Sequence, residues 1–318
     1  MLVFLSLGLF FLSFIGLSYS AEIIVKSVGS LASRLHISTF VLSFFVLGFL
    51  TSLPELSVGL NAVYTGQPDI YAGNMTGASI VLFLFVIPIL AIFGNGITLT
   101  RQLPPKKLIL SILTIITPFL LLLDGHLSLF DAFVAIAAYF ILISSVKNKR
   151  RLFRRVVRTK TKNLSFNPGM ELFRVILGAG LIYLSSRVLV DRTIFFTQFL
   201  NLPIYLVSFI VLAVGTNLPE LFIALKSVLN HQKDIAFGNY IGSAAVNTLF
   251  IGVLTFLNGP FSVSGRTLWL NFLIFAFGLF VFYRFSRSKN NISRPEGFFL
   301  LGLYLLLVVS KILQFFIN

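Results

Sequence analysis

The sequence contains no cysteine among its 318 residues and has few charges for its length. Without cysteine, disulfides, thiolate metal sites and cysteine nucleophiles are excluded. Only 11% of the residues are Asp, Glu, Lys or Arg, whereas a soluble domain has about 25%. The three histidines, His36, His126 and His231, lie near predicted connections, which disfavours a zinc or copper site. The composition therefore excludes an ordinary soluble domain.

Long apolar runs fill the chain instead. Hydrophobic residues make up 57% of it, and its mean hydropathy is +0.97. Because about 20 apolar residues can cross a bilayer as a helix, the sequence predicts an all-α integral membrane protein with about ten transmembrane helices. The start of the chain could also be a cleaved signal peptide, but no basic residue precedes its apolar run, which favours a retained first helix. The ten predicted spans are 2–24, 37–64, 70–95, 107–123, 127–146, 169–189, 203–229, 235–257, 267–285 and 295–317.

The net charge of +15 is distributed unevenly along the chain. Nine lysines and arginines lie in residues 147–162, between the fifth and sixth predicted helices. If this loop is cytoplasmic, the positive-inside rule places 20 basic residues inside and four outside, with both termini outside the cytoplasm. We interpret the loop as a topology determinant that lies on anionic headgroups, not as a nucleic-acid site. The expected partners are the lipid bilayer and transported ions, and no nucleic acid or protein partner is implied.

Residues 51–85 and 216–250 form an internal repeat with a constant offset of 165 residues. Sixteen of the 35 aligned positions are identical, and they include a Pro-Glu pair and a Gly-Asn pair. Each copy lies on the second and third helices of a five-helix half, and because five is odd the two halves are predicted to be inverted in the membrane. The expected units are a first half at 1–146 with its repeat at about 48–90, a basic connection at 147–168, and a second half at 169–318 with its repeat at about 213–255.

Two acidic side chains, Glu55 and Glu220, are predicted to lie deep in the hydrocarbon region. An ionised group at that depth costs about 3 kcal/mol even on a lenient scale, and two carboxylates brought together repel each other. A bound divalent cation, or two monovalent cations, would remove both penalties. The neighbouring Pro54 and Pro219 break their helices and free backbone oxygens one turn earlier. An all-oxygen shell suits calcium, while a helix–helix hydrogen bond is the alternative for a single glutamate.

A second motif opens the third and eighth predicted helices. It reads DIYAGNMTGAS from Asp69 and DIAFGNYIGSA from Asp234. The two aspartates are predicted to be helix N-caps. The glycines of the motif recur at four-residue spacing, which predicts close packing between helices.

Four polar side chains follow within this motif or one turn after it. Asn74 and Asn239 are expected to hydrogen-bond the broken backbone of the opposite half. Ser243 and Asn247 are one turn apart and are positioned to face the site directly.

These motifs resemble the alpha-repeats of the sodium/calcium exchanger family, within the cation/calcium exchanger superfamily. TSLPE and TNLPE, each followed by D-I-x-x-G-N-x-x-G, carry the resemblance. It implies a secondary antiporter, not an enzyme and without a cofactor, in which calcium and a counter-ion, sodium, take turns at one central site. We expect a multi-pass protein of a prokaryotic-type cell (inner) membrane. The resemblance implies that eight residues are ion ligands: Thr51, Ser52, Glu55, Thr216, Asn217, Glu220, Ser243 and Asn247.

The first half departs from the family pattern at two positions. Ala78 and Leu82 stand where the pattern has Ser and Asn, and Ser79 is rotated by about 100° around the helix. One wall of the site is therefore apolar, and a proton-coupled calcium exchanger of the same fold stays open as an alternative. An intramembrane hydrolase would need a His or Cys at depth, and a passive channel fits an occluded two-glutamate site less well than an exchanger does.

Overall fold

The computed structural model describes residues 2–32, 44, 48–94, 96–98, 104–147, 168–221, 225, 233–263, 268–288 and 291–317. Within these residues the chain is helical apart from short connections and four strands of two residues each. The predicted all-α class is therefore confirmed. Residues 148–162 of the basic loop and most of the connection before Gly48 lie outside the described residues.

The first half begins with a 31-residue helix and continues through a broken second helix. A π-helical turn, Leu82–Val86, makes the third helix continuous from α4 into α5. The bounds are α1 Leu2–Ala32, α2 Gly48–Thr51, α3 Leu53–Tyr64, α4 Pro68–Val81, α5 Ile87–Phe93, β1 Ile97–Thr98, α6 Pro105–Leu121, β2 His126–Leu127 and α7 Leu129–Lys147.

The second half follows the same order. A second π-helical turn, Ser208–Leu212, joins α9 to α10, and residues 218–221 are again helical. The bounds are α8 Pro168–Phe199, α9 Ile204–Val207, α10 Ala213–Thr216, α11 Lys233–Asn258, β3 Phe261–Ser262, α12 Leu268–Ser288, β4 Asn291–Ile292 and α13 Arg294–Ile317.

Seven helical stretches in the described part of the chain are long and apolar enough to cross a membrane. Helix α6 has 17 residues, the apolar part of α7 is Leu129–Ser145, and the second predicted helix is described only from Gly48 onwards. The chain is thus a multi-pass integral membrane protein. The seven stretches are Val3–Ile24, Pro68–Phe93, Gly169–Phe199, Ile204–Leu221, Gly238–Asn258, Leu268–Arg287 and Arg294–Leu313.

Helix α8 corrects one predicted boundary. It extends ten residues beyond the predicted end at 189, so Asp191 and Arg192 lie inside a helix and not in a connection. The guanidinium of Arg192 donates to the hydroxyl of Ser6, 3.3 Å away, near the start of α1. Because α8 packs along α1, this polar contact allows the helix to continue past its apolar segment.

The start of α4 corrects a second expectation. The N-cap of this helix is Gln67, without a side-chain cap, and Asp69 lies in the first turn. The side chain of Asp234, near the start of α11, lies outside the described residues. A carboxylate in the first turn is still favourable because the N-terminal end of a helix carries partial positive charge. The predicted N-cap role of Asp69 is therefore wrong, and that of Asp234 stays a prediction.

The two halves cover each other's broken helices. Helix α4 packs against α10 and against the π-helical turn before it, and α11 packs against α2. Glycines permit these contacts: a Cβ on Gly77 would lie 2.9 Å from the carbonyl carbon of Phe209, and a Cβ on Gly242 would lie 2.8 Å from that of Phe44. The 165-residue offset relates both glycines and both phenylalanines. The predicted close packing is confirmed at these two glycines.

Two small ribbons connect the halves at their ends. β1 pairs with β4 and β2 pairs with β3, both antiparallel. The 17 residues of α6 separate β1 from β2, so the ribbons lie about 25 Å apart along that helix. Each ribbon takes one strand from each half.

The apolar core surrounds the third and eighth helices. The ring of Phe83 lies edge-on to those of Phe275 and Phe282, with centroids 6.3 and 4.9 Å away. Phe119 joins the same group at 4.6 Å from Phe275. These contacts pack the π-helical turn that follows α4 against α12, and α12 against α6.

Candidate functional site

The second helix of the first half and its counterpart break at equivalent residues. Ser52 has φ −85° and ψ 6°, and Asn217 has the same angles. The hydroxyl of Ser52 donates to the carbonyl of Gly48 at 2.9 Å, and the amide of Asn217 donates to that of Ala213 at 2.7 Å. Prolines two residues later cannot donate a backbone hydrogen bond to the preceding turn. The polar side chains therefore replace part of the interrupted backbone pairing.

Glu55 and Glu220 follow these breaks directly, in the first turn of the continuing helix. Both residues are 0% exposed. They are near enough for the charge of Glu220 to act on Glu55. The positive end of each continuing helix favours a carboxylate there, but mutual repulsion and the loss of water oppose two negative charges. A positive counter-charge between them would remove this conflict.

Two threonine–asparagine hydrogen bonds connect the broken helices to the opposite half. The hydroxyl of Thr51 donates to the amide oxygen of Asn239 at 3.3 Å, and that of Thr216 donates to Asn74 at 3.2 Å. All four residues are buried. The asparagines were expected to bond the broken backbone itself, and that expectation is wrong: their partners are the threonine side chains that end α2 and α10.

The Glu220 side of the site carries a further hydroxyl network. Ser243 donates to a carboxylate oxygen of Glu220 at 3.1 Å, and its hydroxyl lies 2.6 Å from that of Ser52. Ser52 and Ser243 come from opposite halves, so this contact closes the site across the interface. The resemblance assigned both residues to the site, and the structure brings them together.

Several oxygen atoms of the site lack a hydrogen-bond partner among the described residues. Neither carboxylate oxygen of Glu55 has one, and one oxygen of Glu220 also lacks one. The side-chain oxygen of Asn217 and both amide atoms of Asn247 are in the same condition, although both residues are buried. Buried polar groups without partners are costly. Such an array of oxygens offers ligands for a cation.

Only two ionisable side chains contribute to this array. In the described ranges no group of three or more histidine and acidic side chains is arranged to hold a metal ion. Carboxylate, amide and hydroxyl oxygens suit hard cations, and two carboxylates match one divalent cation in charge. The ligand types gathered here therefore suit a hard cation.

Some buried polar residues were not predicted. The hydroxyl of Tyr240 is buried within electrostatic reach of Glu220. Tyr205 and Thr76 have their hydroxyls 3.3 Å apart, and Asn271 is buried in α12. A lone asparagine inside an apolar helix was the available signal for Asn271. Tyr240 gave no such signal, since the repeat aligns it with Met75.

Three buried polar side chains, Ser57, Asn61 and Ser186, fix the orientation of the helix that carries Glu55. Asn61 donates to the hydroxyl of Ser186 at 2.9 Å, and Ser57 lies 2.6 Å from the same hydroxyl. These contacts join α3 to α8. The site is therefore connected to the long helix pair formed by α1 and α8.

Known proteins with similar sequences are membrane proteins and exchangers. The chain is 28% identical to the inner membrane protein YrbG of Escherichia coli K12 over 73% of this chain and 74% of that protein. It is 24% identical to the sodium/calcium exchanger MaX1 of Methanosarcina acetivorans over 91% and 93% of the two chains. The solved structure of the sodium-calcium exchanger NCX_Mj soaked with sodium and calcium superposes with a TM-score of 0.69, at 25% identity, over 96% of this chain and 98% of that one.

The fold and the paired helix breaks define a multi-span transporter and not an enzyme. The sequence profile of the sodium/calcium exchanger protein family matches residues 5–146 and 170–313. The chain belongs to that family of antiporters.

Proposed function

We propose that this protein exchanges calcium for sodium across the membrane, by alternating access to one site built on Glu55 and Glu220. The observation that carries the proposal is the pair of wholly buried carboxylates on equivalent helix breaks. Three of their four oxygens have no hydrogen-bond partner among the described residues. An ionised carboxylate left unpaired at low dielectric costs several kcal/mol. A bound cation would relieve that cost for both residues at once.

Calcium fits this site by charge and by ligand type. Its charge equals the summed charge of the two carboxylates, and it accepts about six to eight oxygen ligands. The oxygens proposed as its shell come from both halves, so that binding would join them. Sodium, a second hard cation, is proposed as the counter-ion because MaX1 and NCX_Mj are both named as sodium/calcium exchangers. The proposed ligands are Thr51, Ser52, Glu55, Thr216, Asn217, Glu220, Ser243 and Asn247.

The proposed architecture is ten transmembrane helices in two inverted halves, 1–146 and 169–318. Two observations support it: β1 and β2 lie at opposite ends of α6, and each pairs with a strand of the other half. In such transporters the site lies near the bilayer midplane, at the interface of the repeats. The distribution of basic residues supports a cytoplasmic loop at 147–162, with both termini outside, in a prokaryotic-type cell membrane.

The test is calcium flux into proteoliposomes that contain the purified protein. A sodium gradient and a pH gradient are imposed separately, each without the other. The proposal expects calcium accumulation with the sodium gradient. Accumulation with the pH gradient alone would make the proton the counter-ion, and no accumulation with either would refute the proposal. Glu22→Gln is the control for substitutions of Glu55 or Glu220. Glu22 forms an exposed ion pair with Lys26 and lies far from both site residues in sequence.

A further inference from the structure

The two sides of the site differ in chemistry although they are related by the repeat. Glu220 accepts a hydrogen bond from Ser243, and Asn247 lies one turn further along α11. The equivalent positions on the Glu55 side are Ala78 and Leu82, both wholly buried. Neither side chain can offer an oxygen to a cation.

The neighbouring serine of α4 does not compensate for this loss. Ser79, the next residue in α4, donates its hydroxyl to the carbonyl of Met75 in its own helix at 3.3 Å. Within the described residues, both carboxylate oxygens of Glu55 remain without a hydrogen-bond donor. At Ala78 and Leu82 the wall of the site is therefore apolar.

The charge of the site limits what this arrangement can bind. Two carboxylates are neutralised by one calcium ion or by two sodium ions, and either load leaves the buried site without net charge. A third sodium ion would leave one positive charge at low dielectric, which requires extra dipolar ligands to replace its water. Ser243 and Asn247 supply such ligands on the Glu220 side, whereas the equivalent Ala78 and Leu82 supply none on the Glu55 side.

We propose that the exchange is electroneutral, with two sodium ions moved for each calcium ion. The inference rests on the proposed function and specifies its stoichiometry. Its structural basis is the apolar pair Ala78 and Leu82, which removes oxygen ligands from one side of the site. The membrane potential then does no work on the cycle, and the sodium gradient alone drives calcium transport.

The decisive measurement is sodium-driven calcium accumulation in proteoliposomes whose membrane potential is clamped at zero and at 100 mV of either sign. A cycle that moves one net charge would change the final calcium ratio about 50-fold per 100 mV. We expect no change. At zero potential, a tenfold sodium gradient should support a calcium gradient of about 100-fold for two sodium ions, against about 1,000-fold for three.

The outcomes separate this inference from the function on which it rests. Calcium accumulation that depends on potential would overturn the electroneutral stoichiometry while leaving sodium/calcium exchange intact. Absence of sodium-driven accumulation at zero potential would refute the exchange itself.

A second experiment tests the structural cause in the same assay. The variant with Ala78→Ser and Leu82→Asn restores both oxygens, and we expect its accumulation to become dependent on potential. Leu82→Asn alone should already strengthen the dependence on sodium concentration. Ser79→Ala is the matched control, because its hydroxyl serves its own helix. A well-folded double variant that stays insensitive to potential would overturn the assignment of the stoichiometry to these two positions.

Discussion

Replacing Gly242 by alanine tests the contact between the two halves most directly. A Cβ at this position would lie 2.8 Å from the carbonyl carbon and 3.0 Å from the Cα of Phe44, and closer still to the carbonyl oxygen. Ordinary contacts begin at 3.4 Å, so the helices must separate by at least about 0.6 Å. The obstacle is backbone and not the end of a flexible side chain. A change of rotamer therefore cannot relieve it.

The expected cost follows from the nature of this clash. Overpacking a close-packed interior costs about 1–3 kcal/mol, and a backbone obstacle places this variant near the upper end, at about 3 kcal/mol in the free energy of unfolding. Displacing α11 also moves Ser243 away from Glu220 and Ser52. We therefore expect both a less stable protein and weaker calcium transport.

The assay compares unfolding of the detergent-solubilised protein with calcium flux in proteoliposomes. Gly180→Ala and Gly302→Ala are matched controls, because nothing lies within 4 Å of a Cβ at either position. There the change should be neutral or stabilising by up to about 1 kcal/mol, since alanine favours helix. Gly77→Ala, the equivalent of the test position, should behave like Gly242→Ala. If Gly242→Ala matched the controls in both measurements, the packing of α11 against Phe44 would be refuted.

The remaining predictions concern charge, hydrogen bonding and orientation. Glu55→Gln and Glu220→Gln should each abolish calcium exchange while the protein still inserts, because one remaining negative charge cannot neutralise a divalent cation. Thr51→Val and Thr216→Val should each lower the free energy of unfolding by about 1 kcal/mol and weaken calcium transport, because each leaves the amide oxygen of a buried asparagine without its donor. Cysteine introduced at Thr159 should react with an impermeant thiol reagent only from the cytoplasmic face.

The threonine and cysteine tests have controls within the same chain. Thr117→Val removes an exposed hydroxyl that bonds only its own helix, and it should change neither stability nor transport. Because the chain contains no cysteine, a single introduced thiol gives an unambiguous label. Wild-type flux in either glutamine variant would show that the replaced carboxylate is not part of the site. Labelling at position 159 from outside intact cells would contradict the proposed orientation.

The central features of the site could be predicted because they are exceptions within an apolar chain. Glu55 and Glu220 interrupt long hydrophobic runs, and each follows a proline that cannot continue the helix. The repeat then relates the two positions by a fixed offset. Charge, proline and periodicity are all properties of local sequence, and they were sufficient to place both helix breaks.

The partners of the buried polar groups could not be predicted in the same way. The bonds from Thr51 to Asn239 and from Thr216 to Asn74 join residues 188 and 142 positions apart. Which atom an asparagine meets depends on how two helices cross. The sequence indicates that a buried amide needs a partner, but it does not specify that partner.

Helix length was misjudged where polar residues lie in a helix that continues. The sixth predicted helix ended at 189, before Asp191 and Arg192, because charge usually marks the end of a membrane segment. Tertiary packing along α1 extends α8 beyond them, and Arg192 finds a hydroxyl on the neighbouring helix. The two-residue strands are too short to leave a periodic signal, so the ribbons between the halves were not predicted.

Because each half covers the broken helix of the other, a chain cut at its centre would lose that cover. Helix α4 covers α10 of the other half, and α11 covers α2. A half produced alone would present its helix break and its buried carboxylate to lipid, where no water can satisfy their polar groups. Such a half could hide them only against a second half of opposite orientation. A half-length version of this fold would therefore have to insert in both directions in the same membrane and function as an antiparallel dimer.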